Sequence, residues 1–383
     1  MKCMHLADLH IGKRVNEFSM LEDQRHILQQ IIKIADTEQP DAVLIAGDVY
    51  DKSIPPGEAV LLLDDFLTAL SERKLPVLMI CGNHDSPERL SFGGRILQQQ
   101  GISIAAAYRG AIQPIMLSDK YGTVEFYLLP FVKPAMVAPF FPEQAIESTE
   151  QAVRCALSSI LPGETQRRVL VAHQFVVNQG VLPEQSDSEI AFVGGSDAVD
   201  ASLFYAFDYV ALGHLHGPQK MLRETVRYAG SPLKYSFSES RQKKSVTFVE
   251  LKEKGDITVY QVPLQPLRDM REIKGPVEAL MQPKVVHSAN PEDYLHVTLT
   301  NEEELFDPIG KLRTCYPNIM RLDFERPHSR NEESTTAASG DLSQKTPLAL
   351  FEEFFLLQTQ KEMTEEQHHV MEALLQSEQG GTT

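Results

Sequence analysis

Five short apolar runs in this chain stop abruptly at polar groups able to bind a metal. Lys2–Ala7 leads into Asp8-Leu9-His10, and Ala42–Ala46 into Gly47-Asp48-Val49-Tyr50-Asp51. Pro76–Ile80 leads into Gly82-Asn83-His84-Asp85, Arg168–Ala172 into His173, and Asp208–Leu212 into Gly213-His214-Leu215-His216. Short apolar runs bounded by glycine and proline predict buried strands. Between and after the first three, helical periodicity covers residues 19–36 (Leu21, Ile27, Leu28, Ile31, Ile32, Ile34), 57–72 and 87–100, with Pro40 ending the first. Strand–helix alternation implies right-handed crossovers and a sheet with helices on its faces. Such a sheet holds its ligand beyond the carboxyl ends of its strands, which is where these polar groups fall.

From Ile102 the pattern changes to short strands and turns. Residues 123–129, 226–229, 245–251 and 257–262 read as strands, 130–142 as a proline-rich loop, 143–161 as a helix and 178–197 as a polar loop. Pro263-Leu264-Gln265-Pro266 marks a boundary, so residues 1–262 form a first domain. Residues 263–327 hold a strand at 294–299, a helix at 308–315 and a strand at 319–324, a small α/β module. Residues 328–346, rich in Ser, Thr, Glu and Gly, read as a flexible linker. Two short helices follow within 347–383. The first presents Leu350, Phe351, Phe354, Phe355 and Leu357; the second starts at a Thr364/Gln367 capping box and presents Val370, Met371, Leu374 and Leu375. A pair this small has no core of its own and is expected to dock elsewhere.

Composition adds three points. The 383 residues, 42% hydrophobic and 23% charged, suit an ordinary globular protein, and no apolar run approaches the ~20 residues of a membrane span. The start runs straight into the first motif, leaving no room for a signal peptide, and Cys3, Cys81, Cys155 and Cys315 form no paired motif; a cytoplasmic location is expected. The net charge is −17, and residues 330–383 contribute to it with three cationic against ten anionic side chains. Nucleic-acid binders are usually basic. Either the substrate is not nucleic acid, or bound cations and a basic partner supply the missing charge.

The strand-end set is Asp8, His10, Asp48, Asn83, His84, His173, His214 and His216. A single Asp, Asn or His in a loop is most often a solvated or capping residue, but the same residue types recur at the same place after five strands. Carboxylate, imidazole and amide oxygen without thiolate suit Mn²⁺, Fe²⁺ or Zn²⁺. Seven ligands are too many for one ion and fit two, if one carboxylate bridges. Two ions about 3.5–4 Å apart form the usual clamp for phosphate-ester hydrolysis, and an imidazole outside the ligand set can protonate the leaving oxygen.

These motifs resemble those of the calcineurin-like metallophosphoesterases. Ala7–Gly12, Ala46–Asp51, Ser186-Asp187-Ser188-Glu189 and Gly230–Glu239 are similar, further, to the bacterial Mre-type nuclease subunits. The resemblance spans essentially the whole chain and is strongest from Met1 to Leu251. It implies an α/β fold: a β-sandwich flanked by helices, a small α/β capping domain touching DNA (263–327), and a helix pair (347–383) on a flexible linker (328–346). It implies that Asp8, His10 and His216 hold one ion, that Asn83, His173 and His214 hold a second, and that Asp48 bridges them. The activating metal would be Mn²⁺. His84 would be the acid-type histidine, with the Asp51 carboxylate orienting it. The expected substrates are double-stranded and hairpin DNA, in break and hairpin processing by a nucleoid-associated enzyme. The helix pair would bind an SbcC-type SMC-like ATPase. A homodimer within a heterotetramer would form through residues 58–70 and 88–99, using Leu61, Leu62, Phe66, Leu67, Leu90, Phe92, Ile96 and Leu97. Two other readings stay open: a stand-alone small-molecule phosphodiesterase or phosphatase, and a structural subunit with an inactive site.

Overall fold

A computed structural model describes residues 1–160, 165–189, 197–301, 303, 305–325, 346–359 and 362–379. The chain divides into two compact units, Met1–Phe324 and Glu325–Thr383.

The first unit is built on two six-stranded sheets. One runs Ile257–Pro263, Ser245–Leu251, Lys2–Leu6, Ala42–Ala46, Val77–Ile80 and Ile102–Ala105 in spatial order. The other runs Gln219–Met221, Arg223–Tyr228, Tyr209–Gly213, Arg167–His173, Gly122–Leu129 and Ile115–Asp119. The central strands of both are parallel, with Leu6 opposite Ile45, Ala46 opposite Ile80, and Gly213 opposite His173. Strands buried on both faces read as continuous apolar runs, which is why these were legible without alternation.

Between the sheets lies an apolar layer that includes Cys3, Leu44, Leu78, Phe126, Val169 and Tyr209. The Leu21–Glu38 and Gly57–Glu72 helices cover the outer face of the first sheet, and the Thr149–Leu157 helix covers the second. Phe126 is fully buried in the middle layer. Replacing it with Ala is expected to cost about 3–5 kcal/mol, through lost transfer energy and a retained cavity. A urea titration that leaves the unfolding midpoint unchanged would contradict this packing.

After the sandwich, Met270–Gly275, Tyr294–Leu299 and Ile319–Phe324 form a three-stranded parallel sheet. It packs helices and a separate small core around Leu295, Val297, Leu312 and Tyr316. Buried Asp23 ties this layer to the first helix, accepting from Arg268 Nη1 at 3.0 Å and from the Tyr294 hydroxyl at 2.8 Å.

Some boundaries differ from expectation. The helix expected over 87–100 is two pieces, Pro87–Leu90 and Gly94–Gln99, because Gly93 turns left-handed at φ +71°. The helix expected from 143 starts at Thr149, where Ser148 and Gln151 form a reciprocal capping box. In the Pro-rich loop, Pro134–Val137 makes one helical turn. The linker expected at 328–346 lies, apart from Thr346, outside the described residues. Beyond it are the helices Pro347–Thr359 and Glu365–Gln379; the second begins at reciprocal Thr364–Gln367 hydrogen bonds of 3.0 and 3.3 Å. Among the described residues, no helix is long and apolar enough to cross a membrane.

The apolar residues considered for self-association split in two. Leu62, Phe66, Leu67 and Leu90 face the core and half-buried Leu97 packs against it, whereas Leu61, Phe92 and Ile96 are exposed, joined by Ile54 and Val60.

Candidate metal centre

All five motif strands end at the same edge of the sandwich, and the chain turns sharply there. Asp8, His10, Asp48 and His214 all have positive φ (+52°, +44°, +47° and +111°). Non-glycine residues rarely adopt this backbone, and they cluster where a surrounding structure over-determines a functional geometry. The flanking glycines are demanded by space. A Cβ on Gly47, itself at φ +85°, would fall 2.4 Å from His173 Nδ1, and one on Gly213 would fall 1.9 Å from the Ala46 carbonyl oxygen.

The turns bring the expected residues together. Asp8, His10 and His216 have ligand-type atoms within 4.8 Å of one another, as do His10, Asp48 and His84, and Asp8, Asp48 and His173. His10 Nε2 lies 3.1 Å from His216 Nε2. Asn83 Oδ1 lies 3.0 Å from both His173 Nε2 and His214 Nδ1. Asp48 stands between the two groups, with Oδ2 3.4 Å from His173 Nε2, 3.7 Å from His10 Nε2 and 3.9 Å from His84 Nε2.

Main-chain contacts aim these side chains. The His214 N–H donates to Asp8, at 2.9 Å to Oδ1, and the His84 N–H to Asp48 Oδ1 at 2.9 Å. His173 Nδ1 donates to the Ala46 carbonyl at 2.8 Å, which turns Nε2 toward the centre. Asp85 accepts from the N–H groups of Gly82, Val49 and Tyr50 at 2.9, 3.1 and 2.9 Å, so it locks the Gly47–Asp51 turn to the Gly82–Asp85 turn.

The electrostatics call for positive charge here. Asp8, Asp48, His10, His173 and His216 are all buried. Burial and the Asp48 charge push the Asp8 carboxyl well above the usual range. Asp48 goes the other way: against its burial, His173 holds it well below that range. Burial opposes charge on His173, but Asp48 outweighs it and lifts the imidazole to about 9. Burial pushes His10 down to about 4 and His214 down to about 3, so both are neutral bases at pH 7 with lone pairs to give. Two buried carboxylates among oxygen and nitrogen donors, without a thiolate, fit divalent cations of the Mn²⁺, Fe²⁺ or Zn²⁺ type.

Asp51 is arranged differently from expectation. His84 Nδ1 donates to the main-chain carbonyl of Asp51 at 2.8 Å, while the Asp51 carboxylate turns away. Its Oδ1 pairs with Lys13 Nζ at 2.8 Å and lies 3.5 Å from His10 Nδ1. The three-residue span from Asp48 to Asp51 presents the carbonyl, and not the side chain, to His84; the lysine ammonium draws the carboxylate to the other side. About a quarter of the His84 side chain is exposed, whereas Asp8, His10, Asp48, His173 and His216 are buried.

The sequence pattern did not point to Lys13, Glu239 and Lys244 as contributors to the site. Glu239 is fully buried beside His216, and Lys244 donates to it at 2.6 Å. The only sequence signal was the clustering of serines and acids in Ser186–Glu189 and Gly230–Glu239, which has no periodicity of its own.

A helix-flanked β-sandwich with buried Asp and His and a half-buried Asn converging at one edge defines a metal-dependent phosphoesterase. The model of the calcineurin-like phosphoesterase family matches residues 1–218, and that of the type 5 capsule protein repressor C-terminal domain (SbcD_C) matches 266–359. The D subunit of the SbcCD nuclease of Staphylococcus epidermidis is 36% identical over 84% of this chain and 85% of its own length. Among solved structures, TT1561 of Thermus thermophilus (12% identity, TM-score 0.38) covers 68% of this chain and 98% of its own. A dimetal phosphatase from Danio rerio (12%, TM-score 0.41) covers 70% and 98%. The chain belongs to the calcineurin-like phosphoesterases and, within them, to the family of SbcD nuclease subunits.

Proposed function

We propose that this chain is a Mn²⁺-dependent phosphodiesterase that cuts double-stranded and hairpin DNA as the nuclease subunit of a complex with an SbcC-type ATPase. The observation that carries the reading is the convergence of Asp8, His10 and His216, and of Asn83, His173 and His214, with Asp48 Oδ2 3.7 Å from His10 and 3.4 Å from His173. The first three would hold one ion and the second three another, with Asp48 shared between them. When bound, such a pair neutralises phosphate charge and supplies an activated water. His84 is outside both triads. Its Nδ1–H is held by the Asp51 carbonyl, so its Nε2 faces the centre and, when the ring carries a second proton as imidazolium, would give that proton to the leaving oxygen.

Digestion of blunt and hairpin duplexes with Mn²⁺ tests this, beside hydrolysis of a phosphomonoester dye. Cleavage of the dye alone would overturn the nuclease assignment. Asp51→Asn keeps the carbonyl that orients His84 but weakens the contact to Lys13 and His10. Its turnover is expected to fall about tenfold, the lower end for partners of a metal ligand. Steady-state kinetics with metal analysis reads this, and a far larger loss would give the carboxylate a direct role.

Residues 1–262 act as the nuclease domain, 263–327 as the cap against DNA, 328–346 as a linker and 347–383 as the docking element for the ATPase. Exposed Phe354, Leu356, Val370 and Leu374 support docking, and exposed Leu61, Phe92 and Ile96 support a homodimer within a heterotetramer. Deleting 347–383 is expected to abolish co-elution with the ATPase and to leave basal Mn²⁺-dependent cleavage intact. A complex that survives the deletion removes this segment from the interface. A cytoplasmic, nucleoid-associated location follows from the substrate, with the ATPase supplying the DNA-binding charge that an acidic chain lacks.

A further inference from the structure

Ser186–Glu189 and Gly230–Glu239 supply none of the metal-facing atoms, yet both close on one residue that does. His216 is 2% exposed, and its Nε2 points toward His10. Its other ring nitrogen, Nδ1, lies 2.7 Å from Ser188 Oγ. The Ser188 hydroxyl donates to Glu239 Oε1 at 2.6 Å. Glu239, fully buried, also accepts from Lys244 Nζ at 2.6 Å, from Ser236 Oγ at 3.0 Å and from the Tyr235 N–H at 3.2 Å. Lys244 reaches on to the His216 carbonyl at 2.9 Å, and Glu189 Oε1 accepts the His216 N–H at 2.6 Å. One residue is thus gripped at its ring, its amide and its carbonyl.

The hydrogen-bond directions decide the tautomer. A carboxylate paired with a lysine only accepts, so the Ser188 proton goes to Glu239. The serine oxygen can then only accept from His216, which requires a proton on Nδ1 and leaves the lone pair on Nε2. We propose that Ser188, anchored by Glu239, is a positioning residue that fixes His216 as an Nε2 donor to its ion. The buried Glu239–Lys244 pair is the fixed post for this arrangement. Such a pair contributes little net stability by itself, so its use here is to hold direction. The inference rests on the two-ion reading above.

The test is Mn²⁺ titration calorimetry on the full chain, comparing wild type with Ser188→Ala and Ser188→Thr. Ser188→Ala leaves the Glu239–Lys244 pair in place. It is expected to weaken one of two Mn²⁺ sites about 10–100-fold and to leave the other unchanged, with Ser188→Thr restoring the first. Wild-type affinity at both sites in Ser188→Ala overturns the proposal, as does equal weakening of both or a failure of threonine to restore. Fewer than two Mn²⁺ bound by wild type overturns the two-ion reading instead, which separates the two failures.

Discussion

His84→Gln is expected to lower turnover about 10²–10⁴-fold, the usual contribution of a positioned acid or base, with Mn²⁺ content unchanged. The geometry sets the two halves of this prediction apart. His84 Nε2 is 3.9 Å from Asp48 Oδ2, and about a quarter of its side chain is exposed, so it would border the ions without being enclosed by them. Its N–H, which holds Asp48 Oδ1 at 2.9 Å, belongs to the backbone and survives the substitution. A glutamine amide can still donate to the Asp51 carbonyl but cannot deliver a proton to a leaving alkoxide. Parallel kinetics and metal analysis decide the matter. A variant that loses metal along with activity would make His84 a ligand.

Asp48→Asn is expected to abolish both ion binding and cleavage. The asparagine oxygen can keep the bond from the His84 N–H, so the turn survives, while the charge between the two triads disappears. Three imidazole nitrogens, from His10, His84 and His173, lie within 3.9 Å of Oδ2. Without the carboxylate, His173 loses its main cause of elevation and the centre loses a buried anion that would balance two cations. Metal analysis after exhaustive dialysis against Mn²⁺ would read this directly. Retention of both ions by the folded variant would show that bridging comes from elsewhere.

The centre was legible because its signals are local. Each strand is apolar on both faces, each turn needs a glycine or a tolerant Asp, Asn or His, and each functional group follows at once. The same logic failed where the outcome depended on contacts distant in sequence. Nothing near Asp51 says that Lys13 will claim its carboxylate, and nothing near Lys244 says that it will be buried against Glu239. Gly93-Gly94 inside a helical pattern is a signal to break the helix, but the apolar spacing of Leu90, Ile96 and Leu97 masks it. Five of the eight apolar residues expected on an association face pack on the core, because helical periodicity marks an apolar stripe but not the depth to which it is covered.

The left-handed backbone at Asp8, His10 and Asp48 sets fold and chemistry against each other. Glycine enters this region at no steric cost, whereas other residues carry about 1–3 kcal/mol of strain there. At these three positions glycine would relax the chain while deleting the donor atoms. Asp8 and Asp48 also accept the His214 and His84 N–H groups, so in a selection for abundance alone glycine should be tolerated best at 10; in a selection for DNA cleavage it should vanish from all three. Opposite drift under the two regimes would separate what the polypeptide prefers from what its reaction demands.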